Sequence, residues 1–307
     1  MEFASVDPKL GVVFYSLDQR PSGRPEFRLH NTECTGCHQG PATLGVPGFF
    51  VRSVYPEKSG LISRAQGFMT DHRSPLRERW GGWYVSGQHG SQRHLGNRTF
   101  ERFAPATNLD LQATGNLTGL TSLFDTDAYL SPHSDIVSLM TLEHQTRMIN
   151  LITRVGYEAR MALHDAHTRQ FKDVDPSSRS RIAYTIEEMI RYMLFTGEAR
   201  LEAPVRGTTA FAKEFVEAGP RDEKGRSLRD LDLETRLLRY PCSYLIYSAQ
   251  FAALPQPAKE IIYSRLWDVL TGRDKSEVFR NLTQTDRQAI RESLIATKPN
   301  LPAYWHK

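Results

Sequence analysis

Cysteine is scarce in this chain. There are three in 307 residues, and one of them, Cys242, stands alone in the apolar run 240–245. So few thiols exclude a disulfide scaffold. No second Cys-x-x-Cys accompanies the first, which excludes a four-cysteine zinc knuckle, although ten histidines leave a Cys2His2 site formally open. No apolar run approaches the roughly 20 residues that a membrane span needs. Lysine-rich tracts and nucleic-acid motifs are missing as well. The net charge of +4 is mild and spread along the chain, giving weak support for an acidic partner and none for nucleic acid. There is no internal repeat and no low-complexity tract. The chain also opens on Met1-Glu2-Phe3 and polar residues rather than on a secretory signal.

The two remaining cysteines carry the sharpest signal, Cys34-Thr35-Gly36-Cys37-His38. C-x-x-C-H is the attachment sequence of c-type haem. Two thiols one short loop apart can add across the two vinyl groups of one porphyrin, and the adjacent histidine then becomes the proximal iron ligand. Small residues at 35 and 36 let the loop lie close to the macrocycle. One motif implies one covalent haem c. A zinc half-site and a dithiol redox pair are the alternatives, but the flanks lack the βαβ alternation of a thioredoxin-type motif. Cys242 reads as a small buried hydrophobe. Haem is attached to cysteines outside the cytoplasmic membrane, so the expected setting is periplasmic or exported, with the export signal absent from this chain.

Texture changes along the sequence. Residues 1–130 are rich in Gly, Pro, Asn and His, with short apolar stretches at 12–15 and 83–85, and read as loops with a few short strands or turns of helix. Residues 131–307 read as helical. Ile136, Met140, His144, Met148, Leu151, Val155 and Ala159 recur at spacings of three and four within a helix over 135–163. Further helices are expected over 181–195, 243–253 and 258–270, and a last one to about 296 with Thr283 and Asp286 as its capping pair. The charged stretch 219–229 reads as a loop. The expected fold is mainly α, a loop-rich N-terminal haem-binding half packed on a C-terminal helical half, the two possibly sharing one core.

Opposite His38 the iron can take a sixth ligand or remain open. The segment 67–97 and the helix over 135–163 hold the candidates, taken in the order His89, then His144 and His94, then Met69. Glycines 87 and 90 flank His89 and would permit close approach to a flat cofactor, with Trp80, Trp83 and Tyr84 as an apolar wall. His144 lies on the apolar stripe of its helix. His72, in Asp71-His72-Arg73-Ser74-Pro75, reads equally well as a loop residue held by Asp71. Arg73, Arg77, Arg79 and Arg93 are candidates for compensating haem propionates, since a buried carboxylate needs donors.

The attachment motif resembles that of c-type cytochromes at large. The runs Arg79-Trp80-Gly81-Gly82-Trp83-Tyr84-Val85, Leu142-Glu143-His144-Gln145 and Gly219-Pro220-Arg221-Asp222 resemble those of a group of large bacterial cytochrome-c-like proteins, over most of the chain. That resemblance implies a covalent haem and export but no particular reaction. Three roles are open: single-electron transfer to a periplasmic redox partner; a peroxidase- or oxidase-type enzyme using His144 with Glu143, or His89 with Arg93, as acid–base groups; and a haem-based sensor or subunit of a larger redox assembly.

Overall fold

The apolar run at 12–15 belongs to a hairpin. In the computed structural model, which describes residues 1–20, 24–30, 32–62, 67–100, 114–169 and 174–307, strand β1 (Glu2–Asp7) pairs antiparallel with β2 (Gly11–Leu17), and β2 pairs with β3 (Phe27–Leu29). Val12 and Phe14 turn inward and pack with Ile149, while Cys34, Phe49 and Leu245 close over them. A second sheet is only two residues long on each side, β4 (Arg52–Ser53) against β5 (Phe68–Met69). Helix outweighs strand among the described residues, with seven α-helices.

The first helix, α1 (Thr32–His38), carries the Cys34-Thr35-Gly36-Cys37-His38 run. The long α2 (Ile136–Thr168) outruns its expected end at 163 and starts from Asp135, whose Oδ1 accepts the Val137 amide at 2.8 Å. Asp175 caps α3 (Pro176–Met193) by accepting from the amides of Ser177 and Ser178, so this helix begins five residues before the expected Arg181. Helix α4 (Phe211–Glu217) has no counterpart in the sequence expectations. The single apolar helix expected over 243–253 is broken. Ser243 caps a 3₁₀ turn (Tyr244–Tyr247), and Ser248 caps a separate helical turn, α5 (Ala249–Ala252), because each hydroxyl competes for a backbone amide. Helix α6 (Gln256–Leu270) follows. The expected Thr283/Asp286 capping box opens α7 (Gln284–Thr297).

The described residues fall into two compact units, neither of them a continuous stretch. The first unit comprises Met1–Phe50, Gln145–Leu194 and Ser243–Lys307. It holds the three-stranded sheet, α1, most of α2, and helices α3, α5, α6 and α7. Helix α6 lies between α3 and α7, contacting both. The second unit comprises Val51–His144 and Phe195–Cys242. It contains little regular structure beyond β4, β5, α4 and the opening turns of α2. Side chains therefore do backbone work there. Asn97, for example, accepts from the Val85 amide at 2.7 Å and donates to the Val85 carbonyl at 2.7 Å, standing in for a strand partner. The stretch 83–85 is accordingly not a strand. Among the described residues no helix is long and apolar enough to cross a membrane.

Candidate haem attachment site and buried histidine cluster

Cys34 and Cys37 stand three residues apart on α1, a spacing that brings side chains to one side of a helix. Cys34 is half-buried against the β2 core and Cys37 is exposed. His38 closes the helix. Its Nδ1 lies 3.0 Å from the Gly48 carbonyl oxygen. A carbonyl can only accept, so the imidazole carries its proton on Nδ1 and its lone pair on Nε2. The Gly48 amide returns a bond to the His38 carbonyl at 2.9 Å, closing a two-bond ring. Phe14 and Phe50 flank the imidazole, with ring centroids 4.9 and 5.0 Å away.

That acceptor is itself held. Asn150 of α2 accepts from the Phe49 amide at 3.1 Å and donates to the Phe49 carbonyl at 2.6 Å. Gly48 is required for this approach, because a Cβ there would lie 2.2 Å from the Asn150 side-chain oxygen. The residues that could hold a covalent haem are thus two thiols on one helix turn and a histidine whose tautomer and orientation are set by a backbone acceptor.

The remaining candidates belong to the second unit. His89 and His94 are buried, not loop-surface imidazoles, and meet edge to face with centroids 4.9 Å apart. The Asn116 amide donates to His89 Nε2 at 3.0 Å, and the Gly96 amide donates to His94 Nδ1 at 3.0 Å. Burial lowers the pKa of both rings, that of His94 to about 3. Met69 is 43% exposed. Trp83 donates its indole N–H to the Arg52 carbonyl at 2.9 Å.

His144 does not stand alone on its stripe. Its Nδ1 lies 2.8 Å from Nδ1 of His72, which is buried and not an exposed loop residue. Their ring centroids are 5.0 Å apart, the separation of two imidazoles lying side by side across a hydrogen bond. Phe195 covers both rings, 4.3 Å from His144 and 4.6 Å from His72, and does so from a left-handed backbone conformation at φ 56°. Strain of this kind persists only where the surroundings impose it.

Around the pair, charges are matched. Arg73 forks onto Asp71, with Nη2 2.6 Å from Oδ2. Arg79 meets Glu143 at 3.0 Å and also donates to the carbonyls of His72 and Ser74. Thr70 donates to the other Glu143 oxygen at 2.8 Å. Of the propionate candidates, Arg73 and Arg79 therefore each face a carboxylate of this chain. Burial raises the Glu143 carboxyl to about 7 despite the adjoining Arg79, and burial lowers His144 to about 3. Cys242 is buried and its thiol is pushed up to about 12, as expected of an inert core thiol.

Comparison with protein families, with curated proteins and with solved structures yields no match for this chain. Among the described residues no group of three or more His, Cys, Asp or Glu side chains is assembled as a metal-ligand cluster.

Proposed function

We propose that this chain is a monohaem c-type cytochrome that passes single electrons to a redox partner in the periplasm. Cys34 and Cys37 tether the porphyrin and His38 is its proximal ligand. The observation that carries this reading is the hydrogen bond from His38 Nδ1 to the Gly48 carbonyl. It leaves Nε2 as the metal-binding nitrogen and raises its basicity, as the outer partner of a metal-bound histidine does. When bound, haem supplies a one-electron iron couple. The chain's own residues do the rest: Asn150 fixes the acceptor, and Phe14 and Phe50 keep water from the imidazole faces. The mild positive charge favours an acidic partner surface weakly.

The test is production of the chain, fused to an export signal, in a host that attaches haem to C-x-x-C-H proteins. Haem should survive acid–acetone extraction of the denatured protein, and the double variant C34S/C37S should lose all of it. Complete extraction from the unaltered chain would overturn the proposal.

A further inference from the structure

We infer that a cationic cavity of the first unit, at the junction of α6 and α7, binds a phosphate group, free or carried on a small molecule. The cavity has a volume of about 560 Å³, within the range of small-molecule sites. It is bounded by the C-terminus of α6, the loop that follows, and one face of α7. Lys275, Arg280, Arg287 and Arg291 all line it. Two carboxyls are there as well, and they do not cancel this charge. Asp274 is already engaged: its Oδ2 accepts from Arg265 Nη2 and its Oδ1 from the Ser276 amide at 2.7 Å. Glu277 is exposed and is the one carboxylate left to set against four cations of the lining. The site is independent of the haem reading.

Two of the arginines are held in place in advance. Arg287 donates through Nε to the Leu282 carbonyl at 3.3 Å, through Nη2 to the Phe279 carbonyl at 2.9 Å, and through Nη1 to the Val269 carbonyl. A guanidinium has five N–H bonds, so two remain for a ligand, and neutral carbonyl partners leave its charge uncancelled. Arg291 lies over the Trp267 ring, 5.9 Å from its centroid. Gln284 and Gln288 share the lining face of α7 with these arginines, at spacings of three and four, and no acid interrupts it. Groups fixed before binding lose less freedom when a ligand arrives. Lys275 and Arg280 are exposed and can turn onto it. A phosphate group suits this set better than a carboxylate. A phosphomonoester brings three strong acceptor oxygens and roughly 1.5 to 2 negative charges at pH 7, and arginine forks match its geometry.

The experiment is isothermal titration calorimetry of the full chain in phosphate-free buffer, with inorganic phosphate, glycerol phosphate, pyrophosphate and citrate as titrants. At least one of the three phosphate compounds should saturate a single site with Kd below about 1 mM. Tighter binding of glycerol phosphate than of inorganic phosphate assigns an organic phosphate, and the reverse assigns the free ion; both support the site. The double variant K275Q/R280Q should weaken binding at least about tenfold with an unchanged thermal transition. R291Q serves in its place if the double variant does not fold. K9Q/K213Q, which removes the same charge elsewhere on the chain, should bind as the unaltered protein does. The proposal is overturned by no saturable binding of any phosphate compound up to about 10 mM, by citrate binding as tightly as they do, by unchanged affinity in K275Q/R280Q, or by an equal loss in K9Q/K213Q.

Discussion

Two buried carboxyls tie the stability of this protein to pH. Glu143 and Glu198 are both raised by burial from the ordinary 4.5 to about 7. Arg79 opposes the rise in each, and the Leu237 amide, 2.9 Å from Glu198, opposes it there too. A carboxyl raised in the folded state binds its proton more tightly there than in the unfolded chain. Its contribution to stability is full below about pH 4.5 and is lost as pH rises through about 7. His94 and His144, lowered to about 3, act in the opposite sense, withdrawing stability as pH falls below 6.5. The clean readout is therefore a difference between variants. Between pH 4.5 and 7, the melting temperature of E198Q should rise relative to that of the unaltered protein at the same pH; parallel curves would show that Glu198 titrates normally. At this scale the Cys34–His38 run is a local pattern, so the expectation it carries is readable in the sequence alone. The pairing of His72 with His144 was not, since their 72-residue separation is closed only by folding.

Capping governs the elements. Asp135 starts α2 and also accepts from the amides of Thr208 and Thr209 through Oδ2. One carboxylate thus serves a helix N-terminus and a loop that follows it by more than seventy residues. D135A should destabilise the protein by on the order of 2–4 kcal/mol, since a cap and a part-buried acceptor are lost together. Chemical denaturation would measure this, and a loss below about 0.5 kcal/mol, the level of an ordinary surface change, would contradict it. Helices with strong periodicity or a capping box, α2 and α7, were legible in the sequence. The attachment helix was not, because seven residues containing Gly36 and two threonines carry little helical propensity. The break before α5 was equally hidden, as Ser248 signals a cap only once its neighbours have packed.

At the scale of the molecule, the chain passes between the two units four times, at residues 50, 144, 194 and 242. Neither unit can be cut out as a continuous piece. Fragments 1–130 and 131–307, produced separately, should each lack a cooperative thermal transition and exchange amide hydrogens rapidly. A sharp transition in either fragment alone would show that the interleaving is not required for folding.

The expectation of haem attachment at Cys34, Cys37 and His38, and that of the long helices, both rest on residues that are neighbours in sequence, so the sequence by itself determined them. Tertiary structure alone decided what surrounds those residues: the Asn150–Phe49 clamp behind His38, the Arg79–Glu143 pair, and the Phe195 roof over two imidazoles. The physical reason is that an imidazole hydrogen-bonds whichever polar group the fold brings within about 3 Å. The group that faces the ring is a backbone carbonyl ten residues away for His38 and another histidine 72 residues away for His144.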